Sequence, residues 1–191
     1  MRLFIAIELP ENIKQFLSEL VSLKAPVEGI NIVPKENFHI TLKFLGEVQE
    51  EIISQIKASL LELAKEVAPF NLKITYPGVF PNSSKARIIW IGTDINQELK
   101  KLVSKIEESM AQYGFKKEEK EFTPHITLAR VKNFQNGRYL FYKISKTFKE
   151  KMTSELIFDV NEFVLMKSTL TPSGSIYEAL CKFRFGEQVF V

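Results

Sequence analysis

The sequence predicts a protein of mixed helices and strands built by duplication, and three observations carry that reading. Segments with a helical apolar period alternate with short strand-like runs along the chain. The only two histidines, His39 and His125, open the same tetrapeptide, His-Ile-Thr-Leu. Corresponding segments keep a near-constant offset, with 85 residues from Arg2 to Arg87 and 86 from His39 to His125.

Taken in order, Arg2 to Leu9 reads as an apolar strand. Pro10 suits the first position of a helix, where its missing N–H costs nothing. Ile13, Phe16, Leu17, Leu20 and Val21 give that helix its buried stripe. Phe38 to Leu45 is a strand carrying the first motif. A second helical stripe runs through Ile52, Ile53, Ile56, Leu60, Leu63, Ala64 and Val67, and strand-like Phe70 to Tyr76 follows.

The second half replays this order. Arg87 to Ile91 mirrors the opening strand, and Leu99, Leu102, Val103, Ile106 and Met110 form a helical stripe that Gly114 ends as a cap. The second motif lies on a strand from Thr123 to Val131. Lys132 to Arg138 reads as a loop, and Tyr139, Phe141, Ile144 and Phe148 as a short helix. Leu156 to Lys167 and Ile176 to Phe185 close the chain as strands around a turn at Thr171-Pro172-Ser173-Gly174. No linker is long enough to separate independent domains. The expected organisation is one bilobed domain over 1–191, with a repeat of about 1–80 and 86–191.

Composition narrows the function classes. With 45% hydrophobic and 26% charged residues the chain reads as an ordinary soluble globular protein. No run approaches the ~20 apolar residues of a membrane span, and the N-terminus lacks a signal-peptide pattern. The lone Cys181 rules out an internal disulfide framework and fits a reducing compartment, so a cytoplasmic location is expected. A formal charge of +3 is too small to announce a duplex nucleic-acid binder, but leaves room for gripping the end of a strand.

The motifs carry the chemistry. Strict alternation along a strand puts His39, Thr41 and Lys43 on one face and Phe38, Ile40, Leu42 and Phe44 on the other. Likewise His125, Thr127 and Ala129 share a face, with Ile126 and Leu128 opposite. One histidine on a half-buried strand is more often structural than catalytic. Two in equivalent places reverse those odds, because a matched pair of imidazoles can act as acid and base near neutral pH. Facing each other across a groove, they suit an in-line displacement at phosphorus, one taking a proton from water and one protonating the departing oxygen. Thr41 and Thr127 would donate hydrogen bonds to the phosphate oxygens. The motifs hold no thiol or carboxylate, which makes a poor transition-metal site, so no metal or other cofactor is expected. Lys43 reads as a solvated or steering charge rather than a catalyst. Arg130 falls by alternation on the apolar face, and is balanced between a structural role and a phosphate contact reached through a bulge. Among many aromatic residues, Tyr177 is the candidate for stacking on a base.

The paired motifs and the duplicated framework resemble the 2H phosphoesterase superfamily. More closely, the chain is similar to the RNA 2′,3′-cyclic phosphodiesterases, or 2′-5′ RNA ligases, of bacteria and archaea. The resemblance rests on Arg2-Leu3-Phe4-Ile5-Ala6-Ile7, Asn37 to Gly46, His125 to Arg130 and Ser168 to Pro172. It implies a two-lobed α+β fold, antiparallel sheets flanking a central cleft, and helices outside. It also implies opening of a terminal RNA 2′,3′-cyclic phosphate to a 2′-phosphate. His39 would be the proton donor, His125 the proton acceptor, and Thr41, Thr127 and Arg130 would bind the substrate. The reverse reaction would join tRNA halves through 2′-5′ linkages. The expected partner is RNA with a cyclic phosphate end or a small nucleotide, met by a monomer without a membrane or protein partner. The alternatives are a binding module without catalysis, or the same chemistry on 2′-5′-linked oligonucleotides or small cyclic nucleotides.

Overall fold

The computed structural model describes residues 1–22, 25–172 and 174–186. Its elements are β1 (Arg2–Glu8), α1 (Glu11–Leu20), β2 (Ile30–Ile32), a single 3₁₀ turn (Lys35–Asn37), β3 (His39–Glu47), α2 (Glu50–Lys65) and β4 (Phe70–Phe80). They continue with β5 (Ile88–Thr93), α3 (Gln97–Ala111), β6 (His125–Val131), α4 (Phe134–Lys151), β7 (Ile157–Val160), β8 (Glu162–Thr171) and β9 (Gly174–Arg184). This is the mixed α+β architecture the sequence implies, and every strand pairing is antiparallel.

The strands run in the order β7-β4-β5-β6-β3-β1-β8-β9, with β2 paired to β6. The two motif strands are central neighbours. Reading outward from them, one side is β3-β1-β8-β9 and the other β6-β5-β4-β7. Each side draws on both halves of the sequence, since β4 crosses to pair with β5 while β8 returns to pair with β1.

The helices cover one face of this sheet, as their stripes require. Ile13 and Leu17 of α1, Ile56 and Leu60 of α2, Leu102 and Ile106 of α3, and Leu140 and Ile144 of α4 share one buried core with Ile5, Ile40, Ile89 and Ile126. Among the described residues, the opposite face carries only a small cluster of Phe4, Ala6, Val164 and Met166, against which Tyr177 packs. That face holds the cleft.

Several boundaries depart from the sequence reading, each for a local reason. Residues 134–138 belong to α4 rather than a loop, because the Asn133 side chain caps the helix by accepting from Gln135 N and Asn136 N, both at 3.1 Å. The strand expected to end at Tyr76 continues to Phe80, with a pairing irregularity absorbing Pro77. The strand expected over 156–167 divides into β7, which forms one edge of the sheet, and β8, which lies on the other side between β1 and β9. Short β2, Ile30-Asn31-Ile32, alternates but spans only three residues, too few for a periodicity reading. Gly114 does end the third helix: it takes φ +84, and the following Phe115 N–H bonds to Met110 O at 3.3 Å. In the closing turn Thr171 Oγ1 donates to Gly174 O at 2.7 Å, while Ser173 lies outside the described residues.

Candidate active site

The motif strands meet at one register pair, Ile40 opposite Ile126. Because they are antiparallel, His39 stands across from Thr127 and Thr41 across from His125. Both His/Thr pairs project from the same face into a cleft of about 270 Å³, which Arg130 also lines. The five residues singled out from sequence are thus brought together.

Two matched β-bulges decide which way the residues beyond each motif face. On β3, Thr41 pairs with Ala6 and Lys43 with Ile5, so Leu42 is the extra residue. On β6, Thr127 pairs with Trp90 and Ala129 with Ile89, so Leu128 is extra. A bulge places two successive side chains on one face and reverses the alternation beyond it. Lys43 therefore turns away from the cleft, contrary to the solvated or steering charge expected. It is 2% exposed, and its Nζ donates to Glu107 at 2.6 Å and to Lys116 O at 2.9 Å. Phe44 turns the other way and reaches the cleft with 64% of its surface exposed, not the apolar core. The second bulge brings Arg130 round to the cleft, which settles its side of the strand. Phe44 and Arg130 hold corresponding positions, so one end of the arrangement is aromatic and the other cationic.

Each imidazole is oriented by its own strand entry. His39 Nδ1 lies 2.7 Å from Asn37 O, and His125 Nδ1 lies 2.7 Å from Thr123 O. A carbonyl can only accept, so Nδ1 carries the hydrogen in both rings and Nε2 is the nitrogen left for chemistry. The pairs differ in detail. Thr41 Oγ1 is 3.1 Å from His39 Nε2, with no counterpart between Thr127 and His125 among the described residues. Burial lowers the His39 pKa to about 4 against the Asn37 carbonyl, which raises it; the like charges of His125, Arg130 and Lys14 lower it further.

Aromatic rings wall both histidines. Tyr177 stands edge-on to His39 at 5.2 Å between centroids, and Phe4 is 5.0 Å from the same ring. Tyr177 is thus packed on a histidine, whatever else it meets. On the other side Phe80 is edge-on to His125 at 5.1 Å, and Trp90 lies 6.0 Å from it. Trp90 rests flat on Gly78, where a Cβ would stand 2.2 Å from the indole ring. Its Nε1 is buried without a hydrogen-bond partner among the described residues.

Asn37 ties these pieces together. Its carbonyl holds His39, and its side-chain amide donates to Ser175 O at 3.0 Å, drawing the β8–β9 hairpin over the cleft. Sequence reasoning misses Asn37, Phe4 and Phe44 as cleft residues, and Phe80 and Trp90 as the rings that pack on His125. A signal for the second bulge was present: Leu128-Ala129 followed by Val131 is an adjacent apolar pair and then a skip, which strict alternation does not produce.

The family model for LigT-like phosphoesterases matches twice, over residues 7–90 and 91–177. The RNA 2′,3′-cyclic phosphodiesterase of Methanocaldococcus jannaschii is 43% identical over 180 residues, covering 94% of this chain and 98% of that one. The Archaeoglobus fulgidus protein of the same name is 34% identical over the same shares. A crystal structure from Thermus thermophilus superposes with a TM-score of 0.79 at 29% identity, covering 97% of this chain and 98% of that one. E. coli LigT complexed with 3′-AMP shares the fold, with a TM-score of 0.75 at 23% identity and the same coverage. Two repeats of one motif, facing each other across a single cleft, are what a model matching twice describes, and the chain belongs to the LigT-like phosphoesterase family.

Proposed function

We propose that this protein hydrolyses the 2′,3′-cyclic phosphate at an RNA end to a 2′-phosphate by two-histidine acid–base catalysis. The observation that carries the reading is the placement of two oppositely directed His/Thr pairs over one small cleft. The name shared by the curated relatives supports the substrate class. The double match of the family model also supports an origin of the chain by duplication.

In the proposed step His125 Nε2 removes a proton from water, whose oxygen attacks phosphorus. The P–O3′ bond breaks in line, and His39 Nε2 gives its proton to the departing 3′-oxygen. Thr41, Thr127 and Arg130 hold the non-bridging oxygens, where negative charge accumulates. Free His39 is neutral at pH 7, so its donor role depends on the substrate. An anionic phosphate beside the ring offsets the repulsion from His125 and Arg130 and draws a proton onto it. With an RNA 5′-hydroxyl replacing water as the nucleophile, the same groups would break the P–O3′ bond and form the 2′-5′ linkage that joins tRNA halves.

The test offers the purified protein an oligoribonucleotide ending in a 2′,3′-cyclic phosphate. The expected product carries a 2′-phosphate. His39→Ala and His125→Ala should each lower turnover by about 10² or more while remaining folded. Full activity in both variants, or a 3′-phosphate product, would overturn the assignment.

A further inference from the structure

The cleft carries more positive charge than one cyclic phosphate requires. Among the described residues none of its lining is Asp or Glu, and two arginines, Arg130 and Arg2, line it. Most exposed lysines of known pairing find a carboxylate: Lys35 meets Glu11 at 2.5 Å, Lys151 meets Glu19 at 2.5 Å, and Lys182 meets Glu8 at 2.6 Å. Neither Arg2 nor Arg130 makes such a pair among the described residues. The cross-strand neighbour of Arg2 is Glu47, whose carboxylate lies 3.4 Å from the Met1 amino group instead.

Position singles out Arg2 as well. Along β1 it shares the cleft face with Phe4 and Ala6, while Leu3 and Ile5 enter the helix-side core. The pairing of Leu3 with Lys167 sets Ser168, another cleft residue with a hydroxyl, beside it. Arg87, its apparent counterpart in the sequence, is engaged elsewhere, with its guanidinium 4.8 Å from the ring centroid of Phe134. Duplication therefore does not account for Arg2.

Strands β6, β3 and β1 are consecutive. Along β1, Arg2 lies six residues from Glu8, the partner of His39, so its long side chain enters the shared cleft from the end of β1 away from the histidine pair. A 2′,3′-cyclic phosphate carries one negative charge and engages the histidines, the threonines and Arg130. In a ribonucleotide chain the next anion is the phosphate on the 5′ side of the reacting ribose. We propose that Arg2, aided by Ser168, forms a second phosphate subsite for that 5′ phosphate, so the cleft selects the end of an RNA chain over a nucleoside 2′,3′-cyclic monophosphate. A guanidinium suits this because its fork can bind two phosphate oxygens at once and it never loses its charge. The proposal rests on the cyclic-phosphodiesterase reading above and deepens it.

The experiment compares kcat/KM for adenosine 2′,3′-cyclic monophosphate with that for the same compound bearing a 5′-phosphate. The wild-type protein should prefer the 5′-phosphorylated compound by about tenfold or more, as a charge-assisted contact implies. In Arg2→Ala that preference should fall towards one, and Arg2→Lys should keep part of it. Thermal melts check that both variants fold. An unchanged preference in folded Arg2→Ala, or no preference in the wild type, would overturn the subsite and leave Arg2 a solvated surface charge. If neither compound is turned over, the functional reading fails separately. Calorimetric binding of adenosine 2′-phosphate and of adenosine 2′,5′-bisphosphate then decides the subsite: a tighter bisphosphate whose advantage vanishes in Arg2→Ala supports it, and equal affinities reject it.

Discussion

Burial sets the charge of His39 more strongly than its neighbours do, and this makes the residue a measurable element of stability as well as of chemistry. Its pKa falls from 6.5 to about 4 in the folded protein. Between those values the unfolded chain binds a proton that the folded chain does not, so stability present above 6.5 is lost as pH falls towards 4. The shift corresponds to about 3 kcal/mol. Acidic side chains also change charge over this pH range, so the informative quantity is a difference between proteins. Urea unfolding at pH 7 and pH 4 should show the wild type losing about 3 kcal/mol more than His39→Gln, which keeps a hydrogen-bonding amide but has no titration. Identical losses would mean that the His39 ring is solvated in the free protein. NMR titration of the imidazole gives the same answer without mutation, with an expected midpoint of about 4.

At the scale of elements, the two bulges explain what the sequence reveals and what it hides. The motif residues were legible because alternation holds from His39 to Thr41 and from His125 to Thr127, and because two copies of an uncommon tetrapeptide seldom arise by chance. Alternation fails one residue later, since a bulge is set by how a strand pairs with its neighbour and not by the strand alone. For that reason strict alternation exchanges Lys43 and Phe44 between faces and does not fix the side of Arg130. The burial of Lys43 has a cost that can be tested. Its ammonium is matched by Glu107 and the Lys116 carbonyl, which fastens β3 to α3 and to the segment that leads into His125. Removing one member of a buried ion pair leaves an uncompensated charge and typically costs about 3–5 kcal/mol, whereas replacing both with apolar groups costs far less. Lys43→Ala should therefore lose about 3–5 kcal/mol in chemical denaturation, with Lys43→Met/Glu107→Leu recovering most of it. If Lys43→Ala is neutral, the lysine is not held as described and the anchor between the two motif strands lies elsewhere.

Taken as a whole, the molecule interleaves its two halves so that neither has a complete sheet. A cut in the exposed turn between Asn82 and Ser83 separates β1 to β4 from β5 to β9. In the first fragment β4 would lose both partners, β5 and β7, and β1 would lose β8. In the second, β6 would lose β3 and β2, and the β8–β9 hairpin would have no strand beside it. Each fragment would also expose core residues that the other now covers, among them Ile40 and Leu42 in one and Ile126 and Leu165 in the other. The strands that carry the two histidines share one paired position, so the cleft depends on this exchange of strands more than on ladder hydrogen bonds between β3 and β6. Residues 1–82 and 83–191 made separately should accordingly lack a cooperative unfolding transition and any turnover of a cyclic phosphate. Mixing them should restore both, because the buried apolar surface of each is complementary only to the other and the severed turn contributes little to the core. Circular dichroism melts of the fragments and of their mixture, with turnover followed alongside, test this directly. A fragment that melts cooperatively by itself would show that the halves are independent folding units, and that the crossing of β4 and β8 joins two stable lobes without being needed to form either.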